Sequence, residues 1–212
     1  IADIQNSPSS RGRAFICGGS STPHDKTSDI DTVNISTKGN ATRFGQMQTE
    51  VYGAGAFASD TRGIIYGGQA PTGSIDTIDY ITLASEGNGI DFGNMTATFV
   101  HTQGCSSSTR GVAMGKFNAD DTMNYVQIAT IGNALDFGDL IDGRHTAACV
   151  SSPIRGFVAA GNTPNGNDRS VERITFATTG DAINFGDLSA VRGSQPGGAS
   201  NSVTGIFALG RN

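Results

Sequence analysis

Residues 87–115 read GNGIDFGNMTATFVHTQGCSSSTRGVAMG, and the parts of this stretch recur along the whole chain. Its Phe92-Gly93 pair has counterparts at Phe44-Gly45, Phe137-Gly138 and Phe185-Gly186, spaced by 48, 45 and 48 residues. Its Arg110 stands 18 residues past Phe92, and Arg62 and Arg155 hold the same offset from Phe44 and Phe137, each before a glycine. Arg13-Ala14 is an earlier copy, and Thr204-Gly205, one residue late, is the last. Behind each anchor comes a short apolar run ending in glycine: AFICGG, IIYGG, VAMG, FVAAG and IFALG. The opening Gly87-Asn88 returns as Gly39-Asn40, Gly132-Asn133 and, varied, Gly180-Asp181. A fixed period of this length marks a repeat architecture.

Between the anchors lies an alternating segment. Eleven residues before each Phe-Gly phenylalanine stand Val33, Ile81, Val126 and Ile174, and nine before stand Ile35, Leu83, Ile128 and Phe176. Residues two apart share one face of a strand, so these pairs form a core stripe. Asn34, Thr82, Gln127 and Thr175 lie between them and face the other way. Each repeat thus predicts four short strands, the make-up of a kelch-size propeller blade. The fold expected is all-β: a β-propeller of kelch-like blades, one array over residues 1–212, with blades at 1–46, 47–95, 96–140 and 141–188 and a partial blade at 189–212. The second strand occurs five times, the third and fourth only four, which makes about four and a half blades. Five full repeats of about 48 residues would need about 240, so the ring requires completion or an unusual closure. A blade cannot bury both faces alone and must pack on its neighbours.

Composition agrees. Among 212 residues there are 30 glycines and no tryptophan, and charged residues make up 16%. Glycine costs about 1 kcal/mol inside a helix, so this count argues against helices. A net charge of −5 disfavours nucleic acid as a ligand, because phosphate binding needs clustered Lys and Arg. No apolar run approaches the ~18 residues of a membrane span, so no membrane insertion is expected. Ile1 opens the chain, which reads as a piece of something longer or processed. Cys17, Cys105 and Cys149 fit neither a CxxC motif nor a disulfide framework and read as small buried apolar side chains.

The units GNATRFG (39–45), GNGIDFG (87–93) and GNALDFG (132–138), followed by SSSTRGVAMG (106–115), resemble kelch-like repeats of structural and tail-appendage proteins of tailed bacteriophages, marine and cyanobacterial ones especially. The resemblance covers nearly the whole chain. It implies a virion component, a tail or neck appendage, with other virion proteins or copies of itself as partners and a host surface glycan as a further one. The kelch tryptophan is absent. A soluble, secreted propeller lectin is the alternative reading.

Chemical motifs have simpler structural readings. Asp91-Phe92-Gly93 and Asp136-Phe137-Gly138 repeat at the blade period, and no kinase lysine or catalytic loop accompanies them. Here the Phe is expected to plug the space between blades and the Gly to permit a turn or bulge. Gly18-Gly19 and Gly67-Gly68 end strands rather than opening helices, so they cradle no phosphate. His101 and Cys105, like His145 and Cys149, have an HxxxC spacing, but the histidines stand nine and eight residues past their phenylalanines, a slip that flips a strand residue to the other face. No nucleophile elbow surrounds any serine, and the four tyrosines form no copper-oxidase cluster; no catalytic, metal or cofactor-binding residue is assigned. Arg13, Arg62, Arg110 and Arg155 are expected to brace the array by bonding Asp31, Asp79, Asn124 and Glu172, thirteen residues before each Phe, or backbone carbonyls within or between blades.

The loop between the second and third strands varies most: SSTPHDKTSD, QAPTGSI, FNADD and NTPNGNDRS. Loops on one face of a rigid ring are where binding sites concentrate. His24, Asp25, Asn118, Asp120, Asp121, Asn165, Asn167 and Asp168 are the candidate ligand or partner residues there, and the aspartates could hold a cation or a sugar.

Overall fold

The structure is a computed structural model that describes residues 2–3, 12–22, 25–193, 196–208 and 210. Its described residues are strands and turns alone, in 21 strands. The first blade holds β1 (Ala2–Asp3), β2 (Arg13–Thr22), β3 (Asp25–Asn34) and β4 (Thr42–Val51), paired in that order. The second holds β5 (Gly55–Ala58), β6 (Arg62–Tyr66), a small hairpin of β7 (Gln69–Ala70) and β8 (Gly73–Ser74), then β9 (Thr77–Thr82) and β10 (Ile90–Asn94). The third holds β11 (Gln103–Ser106), β12 (Arg110–Lys116), β13 (Asp120–Gln127) and β14 (Leu135–Asp139). The fourth holds β15 (Ala148–Ser151), β16 (Arg155–Ala159), β17 (Asn162–Thr163), β18 (Gly166–Thr175) and β19 (Ile183–Arg192). A last hairpin, β20 (Gly197–Ser200) with β21 (Gly205–Ala208), supplies the first two strands of a fifth blade. This is the propeller-type array of about four and a half blades that the repeat predicts. All pairing is antiparallel, and it follows chain order except where β6 pairs with β9 past the β7–β8 hairpin and β16 pairs with β18 past β17.

The core is three slabs, each filled from two neighbouring blades. Phe15, Phe44 and Ile30 of the first blade pack with Ile65, Ile81 and Leu83 of the second. Ile64, Ile78 and Phe92 pack with Ala113, Val126 and Ile128. Val112, Met123 and Phe137 pack with Cys149, Ile174 and Phe176. The expected stripe is buried in the second, third and fourth blades; Ile35 of the first is 65% exposed, because no earlier blade covers it among the described residues. Cys17, Cys105 and Cys149 are all buried, and Cys105 and Cys149 are free thiols.

The Phe-Gly pairs are bulges. The register of β3 with β4, β9 with β10, β13 with β14 and β18 with β19 slips at each, leaving the phenylalanine unpaired on its strand. A bulge re-aims one side chain. Phe44, Phe92 and Phe137 drop into the gap towards the next blade and are 4%, 1% and 2% exposed, whereas Phe185 is 58% exposed.

The Gly-Asn turns stitch each blade to its predecessor. Gly87, Gly132 and Gly180 donate backbone N–H bonds to the carbonyls of Phe44, Phe92 and Phe137 at 3.1, 2.9 and 2.7 Å. The side-chain oxygens of Asn88, Asn133 and Asp181 accept from the backbone N–H of Gln46, Asn94 and Asp139. So close is this approach that a Cβ on Gly138 would lie 2.5 Å from the Gly180 backbone.

The arginines brace the array between blades and bond carbonyls. Arg13 donates to the Leu83 carbonyl, Arg62 to Ile128 at 3.0 Å and Arg110 to Phe176 at 2.6 Å, in each case the stripe residue nine before the next blade's phenylalanine. Asp79, Asn124 and Glu172 do a different job from the one expected. They accept the backbone N–H groups of Gln48, Thr96 and Ile141, each four residues past the preceding blade's Phe-Gly phenylalanine. An oxygen on a short side chain suits an N–H on an incoming strand, while the longer guanidinium reaches across the gap. Arg155 is exposed, and its guanidinium has no hydrogen-bond partner among the described residues.

Candidate functional site

The variable loops and the connections between blades lie at the same end of the strands. Two isolated bridges join them, Tyr52 with Gln69 and His145 with Asn162. The predicted loop residues do not converge. His24 lies outside the described residues. Asp25 is exposed at the start of β3. Asn118 and Ala119 form the tight turn between β12 and β13 with φ of 72° and 54°, the left-handed pair such a hairpin demands. Asp120 is paired with Lys116 at 3.3 Å and accepts the N–H of Thr122. Asp121 is exposed, and its backbone carbonyl holds the N–H of Leu140. Asn165 caps its own turn by donating to Thr163 Oγ1, and Asn167 is exposed on β18, facing Asn162.

Asp168 is drawn inward instead. Arg144, fully buried, bonds Glu172 and Ser170 and lies 3.5 Å from Asp168. Burial alone would raise the Asp168 carboxyl, but bonds from Ser170 and the Arg169 N–H, with the Arg144 charge, hold it below its ordinary value. Among the described residues no three His, Cys, Asp or Glu side chains gather as a metal site. Cys105 and Cys149 lie inside the blades, and burial pushes the Cys149 thiol up to about 12 despite the Arg144 charge. Tyr80 and Tyr125, each twelve residues before a Phe-Gly phenylalanine, lie under Arg62 and Arg110, each 4.6 Å from the ring centroid, and so offer no free stacking face on that side.

A pocket does form where the blade-to-blade connections meet. It has a volume of about 360 Å³ and is lined by Gly53, Ala54, His101, Thr102, Gln103, Thr146 and Pro196. These residues lead into the first strands, which pack side by side along the inner edge of the array. Three of them are repeat equivalents: Gly53, His101 and Thr146 each stand nine residues past a Phe-Gly phenylalanine. His101 donates its backbone N–H to the Gly53 carbonyl, and Thr146 donates to the His101 carbonyl, both at 2.8 Å. This ladder holds all three left-handed, with φ of 66°, 54° and 50°. Glycine takes that conformation freely, whereas a β-branched residue or a histidine is strained there by about 1–2 kcal/mol. His101 and Thr146 therefore present side chains to the pocket at a position the backbone reserves for glycine. Such strain gathers at functional sites.

A row of rings runs beside the pocket. Tyr52, His101, Phe117 and His145 follow one another at centroid spacings of 5.8, 5.9 and 5.5 Å. Phe117 is 54% exposed at a turn tip, an unusual place for a large apolar ring. Burial, and for His101 the neighbouring His145 charge, hold both imidazoles below their ordinary pKa, so they are neutral near pH 7. The Nδ1 of His145 is buried without a hydrogen-bond partner among the described residues. Among the described residues no carboxylate or thiol lines the pocket. Its chemistry is that of hydrogen bonding and ring stacking. In the sequence Phe117 belongs to a variable loop and His101 to an HxxxC spacing, but the place of His101 and Thr146 in this pocket shows only in their shared offset from Phe-Gly, which has meaning once the backbone at that offset is known.

Fold and site together define a class: an all-β array of propeller-type blades with a ligand-sized pocket at the inner edge of its loop face. No family model matches the sequence, and no curated protein does. A solved structure, that of YjhT, is similar over 98% of this chain and 72% of that one, with a TM-score of 0.75 at 10% sequence identity. At that identity the likeness shows the fold alone.

Proposed function

We propose that this chain is a non-catalytic binding module that holds a neutral glycan on its loop face. The observation that carries the reading is the pocket of about 360 Å³ beside the ring row Tyr52–His101–Phe117–His145. Sugar rings present C–H faces to aromatic side chains and hydroxyls to groups such as Thr102, Gln103 and Thr146, and a pocket of this size falls within the range for small ligands. The lining among the described residues is hydroxyl, amide, imidazole and apolar groups, which suits hydrogen bonding to a neutral sugar. The resemblance of the repeats to those of phage structural proteins supports a virion setting for such a module, as a tail or neck appendage meeting host surface sugars, with other virion proteins alongside. A soluble lectin would use the same pocket.

Screening the purified protein on an array of neutral and acidic glycans tests the reading. Retention of a neutral glycan, lost when Phe117→Ala is introduced, supports it. Failure to retain any glycan, or retention indifferent to Phe117, overturns it. Fixed stoichiometry with capsid or tail proteins in purified particles separates the virion reading from the lectin.

A further inference from the structure

A second pocket opens at the opposite end of the strands, between the third and fourth blades. The pocket at His101 lies where the chain enters β11, and this one lies where the chain leaves it, so the strand separates the two. Its volume is about 220 Å³, room for a molecule smaller than a typical drug. One wall is polar, with Ser108, Thr109, Arg110 and Gln127 of the third blade. The other is apolar, with Pro153, Ile154 and Phe176 of the fourth. Both walls are held in place. Ser107 Oγ accepts the N–H groups of Thr109 and Arg110 at 3.3 and 3.1 Å, and the Thr109 carbonyl accepts the Ile128 N–H at 2.9 Å. Across the pocket the Ile154 carbonyl accepts the Phe176 N–H at 3.1 Å.

Among the described residues of the lining Arg110 alone is charged. Its guanidinium is only partly used. Nη1 donates to the Phe176 carbonyl and one face lies on Tyr125. Nε is buried without a partner, and Nη2 has none among the described residues. Beside it the Ser108 hydroxyl and the Gln127 amide are exposed and equally unpartnered there. A planar cation with unmet N–H groups, flanked by hydroxyls, is suited to a carboxylate.

The repeat sets this joint apart. Two residues before Arg62 stands Asp60, whereas two before Arg110 stands Ser108. Pro153-Ile154 holds the position that Asp60-Thr61 and Ser108-Thr109 hold in the two preceding blades, and Ile154 is 63% exposed at its turn. Arg110 therefore lacks the acidic neighbour of Arg62, and it faces apolar side chains where those two blades carry an acid or hydroxyls.

We infer that this pocket is a binding site for a small organic acid, whose carboxylate meets Arg110 and Ser108 and whose apolar body lies on Pro153 and Ile154. The inference rests on the joint between the third and fourth blades and is independent of glycan binding.

The probe is benzoate, titrated onto the purified protein and followed by its backbone amide resonances. Saturable one-to-one binding is expected, with shifts centred on Thr109 and Ile154. Benzamide, the neutral isostere, should bind ~10-fold or more weakly, and so should benzoate to Ser108→Asp, which copies the acid of the second blade. Ile154→Thr should weaken benzoate more modestly. Glucuronate, a carboxylate on a polar body, should bind less tightly than benzoate. Ser108 and Ile154 are exposed side chains, and unchanged unfolding midpoints check that the variants fold. The inference is overturned by an absence of saturable binding, by benzamide matching benzoate, or by an affinity indifferent to Ser108→Asp. Tighter binding of glucuronate overturns it in favour of an acidic sugar. Shifts centred on His101 and Thr146 overturn it by putting the acid in the other pocket.

Discussion

Arg110 donates from Nη1 to the carbonyl of Phe176 at 2.6 Å, 66 residues away and one blade further on, while its guanidinium lies 4.6 Å from the Tyr125 ring centroid. One side chain thus ties the third blade to the fourth by a charged hydrogen bond while it stacks on a ring of its own blade. Arg155, at the same repeat position one blade later, has neither among the described residues. The pair makes an internal control. A hydrogen bond from a charged donor contributes about 1.5–3 kcal/mol, so Arg110→Ala should lower stability in urea by about that much. Arg155→Ala should change it by less than about 0.5 kcal/mol. Equal losses would mean that the arginines act through something other than the joint.

Gly138 is held at φ 132° with the Gly180 backbone 2.5 Å from where a Cβ would stand. Backbone cannot step aside as a flexible side chain can. Gly138→Val should therefore open the joint between third and fourth blades, and limited proteolysis should cut in or beside 177–182. Gly39→Ala, where a Cβ meets nothing within 4 Å and the backbone is not left-handed, should leave the cleavage pattern unchanged.

The buried pair of Arg144 and Glu172 should be costly to break and cheap to lack. Glu172→Gln leaves a fully buried guanidinium short of its carboxylate, and removing one partner of such a pair costs about 3–5 kcal/mol. The same change also weakens the grip on the Ile141 N–H, held at 2.7 Å. Thermal unfolding of Glu172→Gln and of Arg144→Met with Glu172→Leu compares the two cases. The double variant should lie above the single one.

His101 and His145 give the stability a pH dependence of fixed sign. Burial keeps both folded pKa values below the ordinary 6.5. Above that pH the rings are neutral in both states and contribute nothing. Below it the unfolded chain takes up protons that the folded chain resists, so stability falls as pH drops through about 6.5. The urea midpoint should be lower at pH of about 5.5 than at about 7.5, and His101→Gln with His145→Gln should flatten that difference. An unchanged slope would remove the histidines as its cause. Asp168 acts in a separate window: its depressed folded pKa adds stability that is present above about 3.8 and lost as pH falls further.

Native thiols should be inert. Cys105 and Cys149 are buried, and burial raises both pKa values, so little thiolate exists near pH 7. An aromatic disulfide reagent should label none of the three cysteines until urea unfolds the chain, and then all of them.

The period, the blade class and the count of about four and a half were legible in the sequence. Phe-Gly, Gly-Asn and Arg-Gly recur because every joint imposes the same local demands: a bulge that aims a ring, a turn thin enough to lie on glycine, a cation long enough to cross a gap. The alternating stripe follows from the two-residue period of a strand and needs no tertiary knowledge. Tertiary structure alone decided the partners. Asp79, Asn124 and Glu172 stand near the arginines in the repeat and yet take N–H groups of the preceding blade, because which side chain meets which strand depends on how far neighbouring blades are turned and set back. It also decided the pocket. His101 and Thr146 are ordinary residues in the sequence. They become a site when a ladder of backbone bonds across three blades holds them left-handed around one cavity, a long-range arrangement that no local pattern encodes.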